Sequence, residues 1–160
     1  MADACPTIRE ARWTDCGAMA RKICQGRWLA YHHAGIDVRA KLRELWGASI
    51  VRRTWLVDGR IAAMGGLTGS VLSRSGHVWL AVAPEAERQR FALVREAMRQ
   101  CEEVARTKRE LRTTVAEQDG TGMRFAKWMG FVEDVDEDGH PLRMQIGESG
   151  IFVIPMTLRR

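Results

Sequence analysis

Apolar positions along the chain switch between two periods, one extended and one helical. Residues 7–11 read as a short first strand. Thr14 or Asp15 then offers a side-chain oxygen to the free amides of a helix in which Ala18, Met19, Ile23 and Cys24 recur at helical spacing. Gly26 ends it, and a second helical stretch, 36–46, carries Ile36, Leu42, Leu45 and Trp46 among basic residues. Residues 49–57 and 60–67 flank Asp58-Gly59, a pair that accepts the positive φ of a tight hairpin turn. Residues 77–82 are almost continuously apolar, which predicts a strand buried on both faces and stopped by Pro84. The longest helix, 86–108, has an inward stripe of Phe91, Val94, Ala97, Met98, Cys101, Val104 and Ala105.

A strand over 111–117 follows, then a short helix capped by Asp119 and closed at Gly130. Residues 131–135 and 151–158 are the last strands, with a turn at Asp138-Gly139 between them. The predicted order is β-α-α-β-β-β-α-β-α-β-β, an α/β (α+β) fold with a mixed central sheet flanked by helices. At 160 residues it is read as one domain, 1–160.

Composition narrows the setting. Hydrophobic residues make up 46% and charged residues 28%, the balance of a folded globular chain and not of a disordered one. No apolar run approaches the roughly 20 residues of a membrane-spanning helix. The first residues lack a basic region followed by an apolar one, so no secretion signal is expected. Cys5, Cys16, Cys24 and Cys101 form no CxxC pair and read as reduced thiols of a cytoplasmic setting. The net charge of +5 is unevenly spread: nine Lys/Arg against three acids over 21–60, and six acids against Arg143 over 131–150. Such a basic region suits an acidic protein surface, a phosphorylated ligand or nucleic acid, and equally an ordinary solvated face.

The element order, with Arg124-Phe125-Ala126-Lys127-Trp128-Met129-Gly130-Phe131 at a helix-to-strand corner and Val82-Ala83-Pro84-Glu85 ahead of the long helix, resembles the GNAT superfamily of N-acetyltransferases. The resemblance covers about 7–158. It implies a GNAT-like sheet, acetyl-CoA as donor, and a loop whose backbone amides hold pyrophosphate at a helix start. The matching stretch here is Glu87-Arg88-Gln89-Arg90-Phe91-Ala92. Glu87 stands where the family has Gln or Arg, Arg90 replaces the central glycine, and Ala92 conforms. Under this reading Val82, Arg88, Arg90 and Ala92 are the cofactor-binding residues, with the arginines meeting phosphate through their side chains or blocking the cradle.

The tyrosine that the family often uses as general acid is Ala126 here, and the usual asparagine is Asp119. His77, Glu117 and Asp119 are the candidate bases, with Glu117 preferred. A narrower resemblance, to the internal virion protein A family of short-tailed bacteriophages, rests on Ile8-Arg9, Thr14-Asp15, Ala34-Gly35-Ile36, Ala62-Ala63-Met64-Gly65-Gly66, Val78-Trp79, the arginine-rich long helix and the 123–130 corner. It implies a virion or assembly protein made in the host cytoplasm and not secreted. Such a protein needs no cofactor, and its partners are virion structural proteins or further copies of itself.

The expectation is therefore a GNAT-fold scaffold lacking acetyltransferase activity, the alternative being an acetyl-CoA-dependent N-acetyltransferase with an altered loop. Nucleic-acid binding through the arginines at 52–53, 88–90 and 106–112 is the third option. No metal site is expected. His32 and His33 are adjacent, so a regular element cannot turn both toward one ion, and Asp37 is their only nearby acid. Of the tryptophans at 13, 28, 46, 55, 79 and 128, Trp55 and Trp79 are expected in the core, and Trp28 and Trp46 nearer the surface.

Overall fold

The computed structural model describes residues 6–23 and 26–159. Strand β1 (Thr7–Glu10) is followed by helices α1 (Trp13–Ala20), α2 (Gly26–His33) and α3 (Val38–Ala48), one helix more than the sequence pattern indicated. Next come β2 (Ser49–Val57), β3 (Arg60–Thr68) and β4 (Ser75–Val82), then a 3-10 segment, Pro84–Gln89, leading into α4 (Arg90–Ala105). The chain closes with β5 (Glu110–Ala116), α5 (Gly120–Trp128), β6 (Val132–Glu133), β7 (Met144–Gln145) and β8 (Phe152–Arg159).

Local chemistry accounts for most of these boundaries. Asp58 (φ 51°) and Gly59 (φ 72°) make the turn between β2 and β3 as expected. The Asp119 carboxylate accepts from the Gly122 amide at the start of α5, and Gly130 (φ 96°) takes the left-handed conformation after its end. Asp15 is not the cap residue of α1. It sits one turn inside, where its carboxylate reaches back to the Arg12 amide at 2.8 Å. Asp37, weighed as a metal ligand, caps α3 by accepting from the amides of Arg39 and Ala40.

The strands form one sheet in the order β1-β2-β3-β4-β5-β8-β6, with β7 also on β8. All neighbours are antiparallel except β4 and β5. Side chains alternate between the two faces. Met64, Trp79 and Ala81 meet Met19, Trp28 and Leu42 from α1, α2 and α3. On the other face, Trp55 and Ala63 meet Leu93 at the start of α4, while Leu111, Val115 and Ile154 meet Ala126 of α5.

No helix among the described residues is long and apolar enough to cross a membrane. Cys16 is buried and Cys101 half-buried, neither in a disulfide, whereas the reading of Cys5 and Cys24 falls outside the described residues. Two tryptophans depart from expectation. Trp28 is buried at 4% exposure and Trp46 is half-buried, while Trp13 and Trp128 are the exposed pair. Trp46 is covered because its indole nitrogen donates to the Ala11 carbonyl and Arg52 lies over its ring.

Candidate functional site

The central feature is the parallel pair. Strands β4 and β5 are in register only over Ser75–His77 and Glu110–Arg112. Beyond His77, β4 stays on β3 as far as Val82, and beyond Arg112, β5 stays on β8 as far as Ala116. Each strand therefore keeps one partner and loses the other, and a wedge opens in the middle of the sheet. Backbone groups along its two edges need partners from elsewhere. One is supplied from α2: the Trp28 indole donates to the Leu80 carbonyl at 2.9 Å.

The wedge opens into a cavity of about 470 Å³ that runs beneath α4 and α5. Its walls are largely apolar, with Val78, Leu80, Val82, Val115, Ala126 and Met129 close to the wedge. Its polar members include Glu87, Arg90, Glu96, Gln100, Asp119 and Thr121 on the helix side and Arg53, Thr113 and Thr114 on the sheet.

At one end lies the start of α4. Gln89 precedes the helix and gives no side-chain hydrogen bond to it, so no side chain of that residue competes for the first-turn amides. A sixteen-residue helix directs a partial positive charge there. Arg90 lines the cavity with its guanidinium 4.9 Å from the centre of the Phe91 ring. The preceding 3-10 segment is pinned to the turn after α1 and to β3, because Lys22 donates to Glu85 at 2.6 Å and to the Ile61 carbonyl at 3.2 Å. The Lys22 ammonium holds the Glu85 carboxyl below the usual carboxylate range.

Of the residues named from sequence, Val82 and Arg90 line the cavity. Arg88 is exposed and is not among the lining residues; Ala92 packs against the Trp55–Leu93 cluster beside it. Glu117 lies just past β5, where Arg143 donates to it at 2.8 Å, and it too is outside the lining. His77 is the last residue of β4 that pairs with β5, at the closed end of the wedge. Asp119 does line the cavity, but one of its oxygens is engaged in capping α5.

Glu96 and Trp28 were missed by sequence reasoning. The only sign of Trp28 was its i, i+3 relation to Tyr31, whose ring it meets edge-on at 5.8 Å in a helix the pattern left undefined. Glu96 interrupts the stripe of α4, which resembles an ordinary solvated position until α4 is placed over the sheet. Arg99, with Gln100, holds Glu96 below the usual carboxylate range, so it is a weak base. The Ala126 position is buried, and no hydroxyl stands there.

No family model matches the chain, and no curated protein matches it in sequence. Solved structures do match in shape. The ribosomal-protein-S18-alanine N-acetyltransferase of Escherichia coli superposes with a TM-score of 0.66 at 18% identity, over 97% of this chain and 94% of that one. A GNAT-family acetyltransferase of Bacillus anthracis gives 0.66 at 11% identity, over 96% and 94%. A Salmonella typhimurium protein solved with its cofactor acetyl-CoA gives 0.62 at 14% identity, over 97% and 94%. The chain has the GNAT N-acetyltransferase fold.

Proposed function

We propose that the chain binds acetyl-CoA, or a thioester built on the same coenzyme, and transfers its acyl group to an amine. The observation that carries this reading is the wedge between β4 and β5, opening into a cavity with the start of α4, not capped by a side chain, at one end. The donor set fits the group. The first-turn amides of α4 and the Arg90 guanidinium suit a pyrophosphate. The edge of β4 that β5 leaves, apart from the Leu80 carbonyl taken by Trp28, suits an amide-bearing arm, and the apolar walls exclude water from the thioester. Glu87, three residues before Arg90 in the cavity lining, is an unfavourable charge beside a pyrophosphate, and Glu96 and Asp119 are further acids of the same lining. When bound, the coenzyme supplies an activated acyl carbon and a thiolate leaving group. The chain's own part is to hold that carbon at the wedge, to shield it, and to leave the α2 side for the incoming amine.

This makes catalysis mainly a matter of positioning. Glu117→Gln is expected to lower turnover by less than about tenfold, short of the 10²–10⁴ loss that follows removal of a general base. Steady-state release of free coenzyme thiol reads the difference, and a hundredfold loss would make Glu117 the base after all.

Thermal unfolding tests the binding itself. Acetyl-CoA at about 100 times its dissociation constant adds roughly 2.7 kcal/mol to the native state. At about 2–4 °C per kcal/mol for a domain of this size, the midpoint should rise by roughly 5–11 °C. An unchanged midpoint at millimolar acetyl-CoA would sink the reading.

A second reading, a GNAT-fold scaffold that binds other proteins, is supported by one group of observations. Ala126 is buried where a hydroxyl would serve catalysis, and Trp13, Phe91 and Trp128 are exposed at 47%, 74% and 60%. Exposed aromatics beside arginines suit contacts with other proteins or with another copy. Arg43, 4.5 Å from the centre of the Trp13 ring, gives one such pair. Saturable acetyl-CoA binding with turnover would displace this reading.

A further inference from the structure

The end of the sheet where β4 and β5 begin carries an aliphatic tip that the described residues leave uncovered. The connection between β3 and β4 spans 69–74, and at its apex Val71 is 76% and Leu72 93% exposed. Single apolar residues on a surface are ordinary, but here two neighbours stand out together on a fixed backbone. Lys108 donates to the carbonyls of Ser70, Val71 and Ser73, the Ser73 amide donates to the Ser70 carbonyl, and the Leu72 amide donates to the Ser70 hydroxyl. The surroundings are basic. Residues 68–76 and 104–109 contain no acid and hold Arg74, Arg106, Lys108 and Arg109, of which the three arginines are exposed. The Arg109 amide donates to the Arg74 carbonyl, which places both residues at the base of the tip. Across the same end of the sheet, Ser75, Glu110 and Arg159 stand side by side, and Glu110 accepts from Arg112 at 2.6 Å and from Arg159 at 3.2 Å. Glu102 and Glu103 lie with Arg99 and Arg106 at the end of α4, two charges of each sign. Against Arg74, Arg109, Arg112 and Arg159 there remains Glu110, so this end is net positive.

We propose that the β3–β4 tip docks the protein on an anionic lipid bilayer, with Val71 and Leu72 entering the interface and Arg74, Arg109 and Arg159 meeting the headgroups. Shape and charge favour a bilayer over a protein partner. The apolar pair stands at a convex apex, which a fluid interface takes in directly, whereas a protein would need a matching pocket. The arginines behind the apex sit at the level where a bilayer that takes in the tip presents its phosphates, and their charge complements acidic lipids. Two aliphatic side chains are too few to hold the chain on neutral lipid, so binding is reversible and needs both parts. The wedge opens at the opposite ends of the two strands, beside Val82 and Ala116, so docking leaves the cavity accessible and does not depend on what fills it.

Co-sedimentation of the full chain with vesicles of phosphatidylcholine alone, and of phosphatidylcholine mixed with phosphatidylglycerol, tests this. Each arginine at an acidic surface is worth about fivefold in partitioning, so the mixed vesicles should bind at least about tenfold more strongly than the neutral ones. Raising the salt from about 0.1 M to about 0.5 M should remove most of that difference. Replacing Val71 and Leu72 together with serine should weaken binding to the mixed vesicles by at least about tenfold. Arg74→Gln with Arg109→Gln should weaken it by about twentyfold. All four side chains are exposed, so the thermal midpoints of both variants should match the parent, and Leu72→Ser alone is the fallback should the double serine variant melt early. Equal binding to both vesicles, or binding to neither, would overturn the lipid site. Binding to mixed vesicles that the serine variant keeps in full would move the contact to another basic face and overturn the tip. Self-association without lipid in sedimentation velocity, abolished by the serine variant, would make the tip a contact between copies and overturn the bilayer.

Discussion

Exchanging Asp15 for alanine is expected to destabilise the protein by about 2–4 kcal/mol, because it leaves the buried Thr54 hydroxyl and the half-buried Arg9 guanidinium without their partner. Asp15 is 4% exposed and joins three elements. Arg9 of β1 donates to both carboxylate oxygens at 2.7 and 2.9 Å, the Arg12 amide at the start of α1 donates at 2.8 Å, and the buried Thr54 hydroxyl of β2 donates at 2.8 Å. Alanine would strand the Thr54 hydroxyl in the core and release the first turn of α1. Urea titration should show the loss as a lower midpoint with the slope unchanged. A change below about 1 kcal/mol would mean that water replaces the carboxylate and that the site is not closed.

The same residue sets an acid limit. Burial pushes the Asp15 carboxyl up, but the Arg9, Arg12 and Thr54 donors together outweigh it and hold it below the usual carboxylate range. Its contribution is thus fully present above the unfolded value of about 3.9 and is lost as pH falls through the lower folded value. Asp15→Asn, which has no charge to lose, should narrow its stability gap to the parent protein between pH 5 and pH 2. A gap that stays constant over that range would show that Asp15 is not the group being titrated.

Replacing Lys108 with methionine should cost about 3 kcal/mol, given that hydrogen bonds to a charged group are worth about 1.5–3 kcal/mol each and that removing the ammonium returns part of its desolvation cost. Lys108 is 3% exposed, and its ammonium donates to the carbonyls of Ser70, Val71 and Ser73 at 2.6, 3.3 and 2.5 Å. It thereby ties the β3–β4 loop to the segment between α4 and β5, next to the Arg109 and Glu110 amides that donate to the Arg74 carbonyl. This is the closed end of the wedge, where β4 and β5 still pair. The variant should melt lower by roughly 6–12 °C. It should also lose amide-exchange protection first at the start of β4 and β5, since that is where the loop is held. Uniform loss of protection across the sheet would show that Lys108 stabilises the whole fold and not this joint.

The exposed and buried partners in the site explain what could be read in advance. Val82 and Arg90 were named from the family resemblance, and both line the cavity, one at a strand end and the other at a helix start. Glu117 was placed near the site by its position after β5, but its pairing with Arg143 depends on the course of the chain 26 residues later. Trp28 looked like a surface residue beside basic neighbours. It is buried because the sheet leaves the Leu80 carbonyl unpaired and the indole reaches it. The stripe of α4 was read as core from its period, yet periodicity reports which face turns inward and not whether protein atoms meet it.

What the sequence determined by itself is the succession of elements and their ends. The Asp58-Gly59 turn, the Asp119 cap, the Gly130 stop and the apolar run of β4 each depend on residues within one turn or one strand of each other. That succession was enough to indicate a GNAT-like sheet. Tertiary structure alone decided that β4 and β5 separate after three paired residues, that an additional helix, α2, brings Trp28 to the gap, and that a cavity lies beneath α4. These outcomes depend on which strand edge, carbonyl or helix face finds a partner among residues far away in sequence, and a local pattern carries no record of that competition.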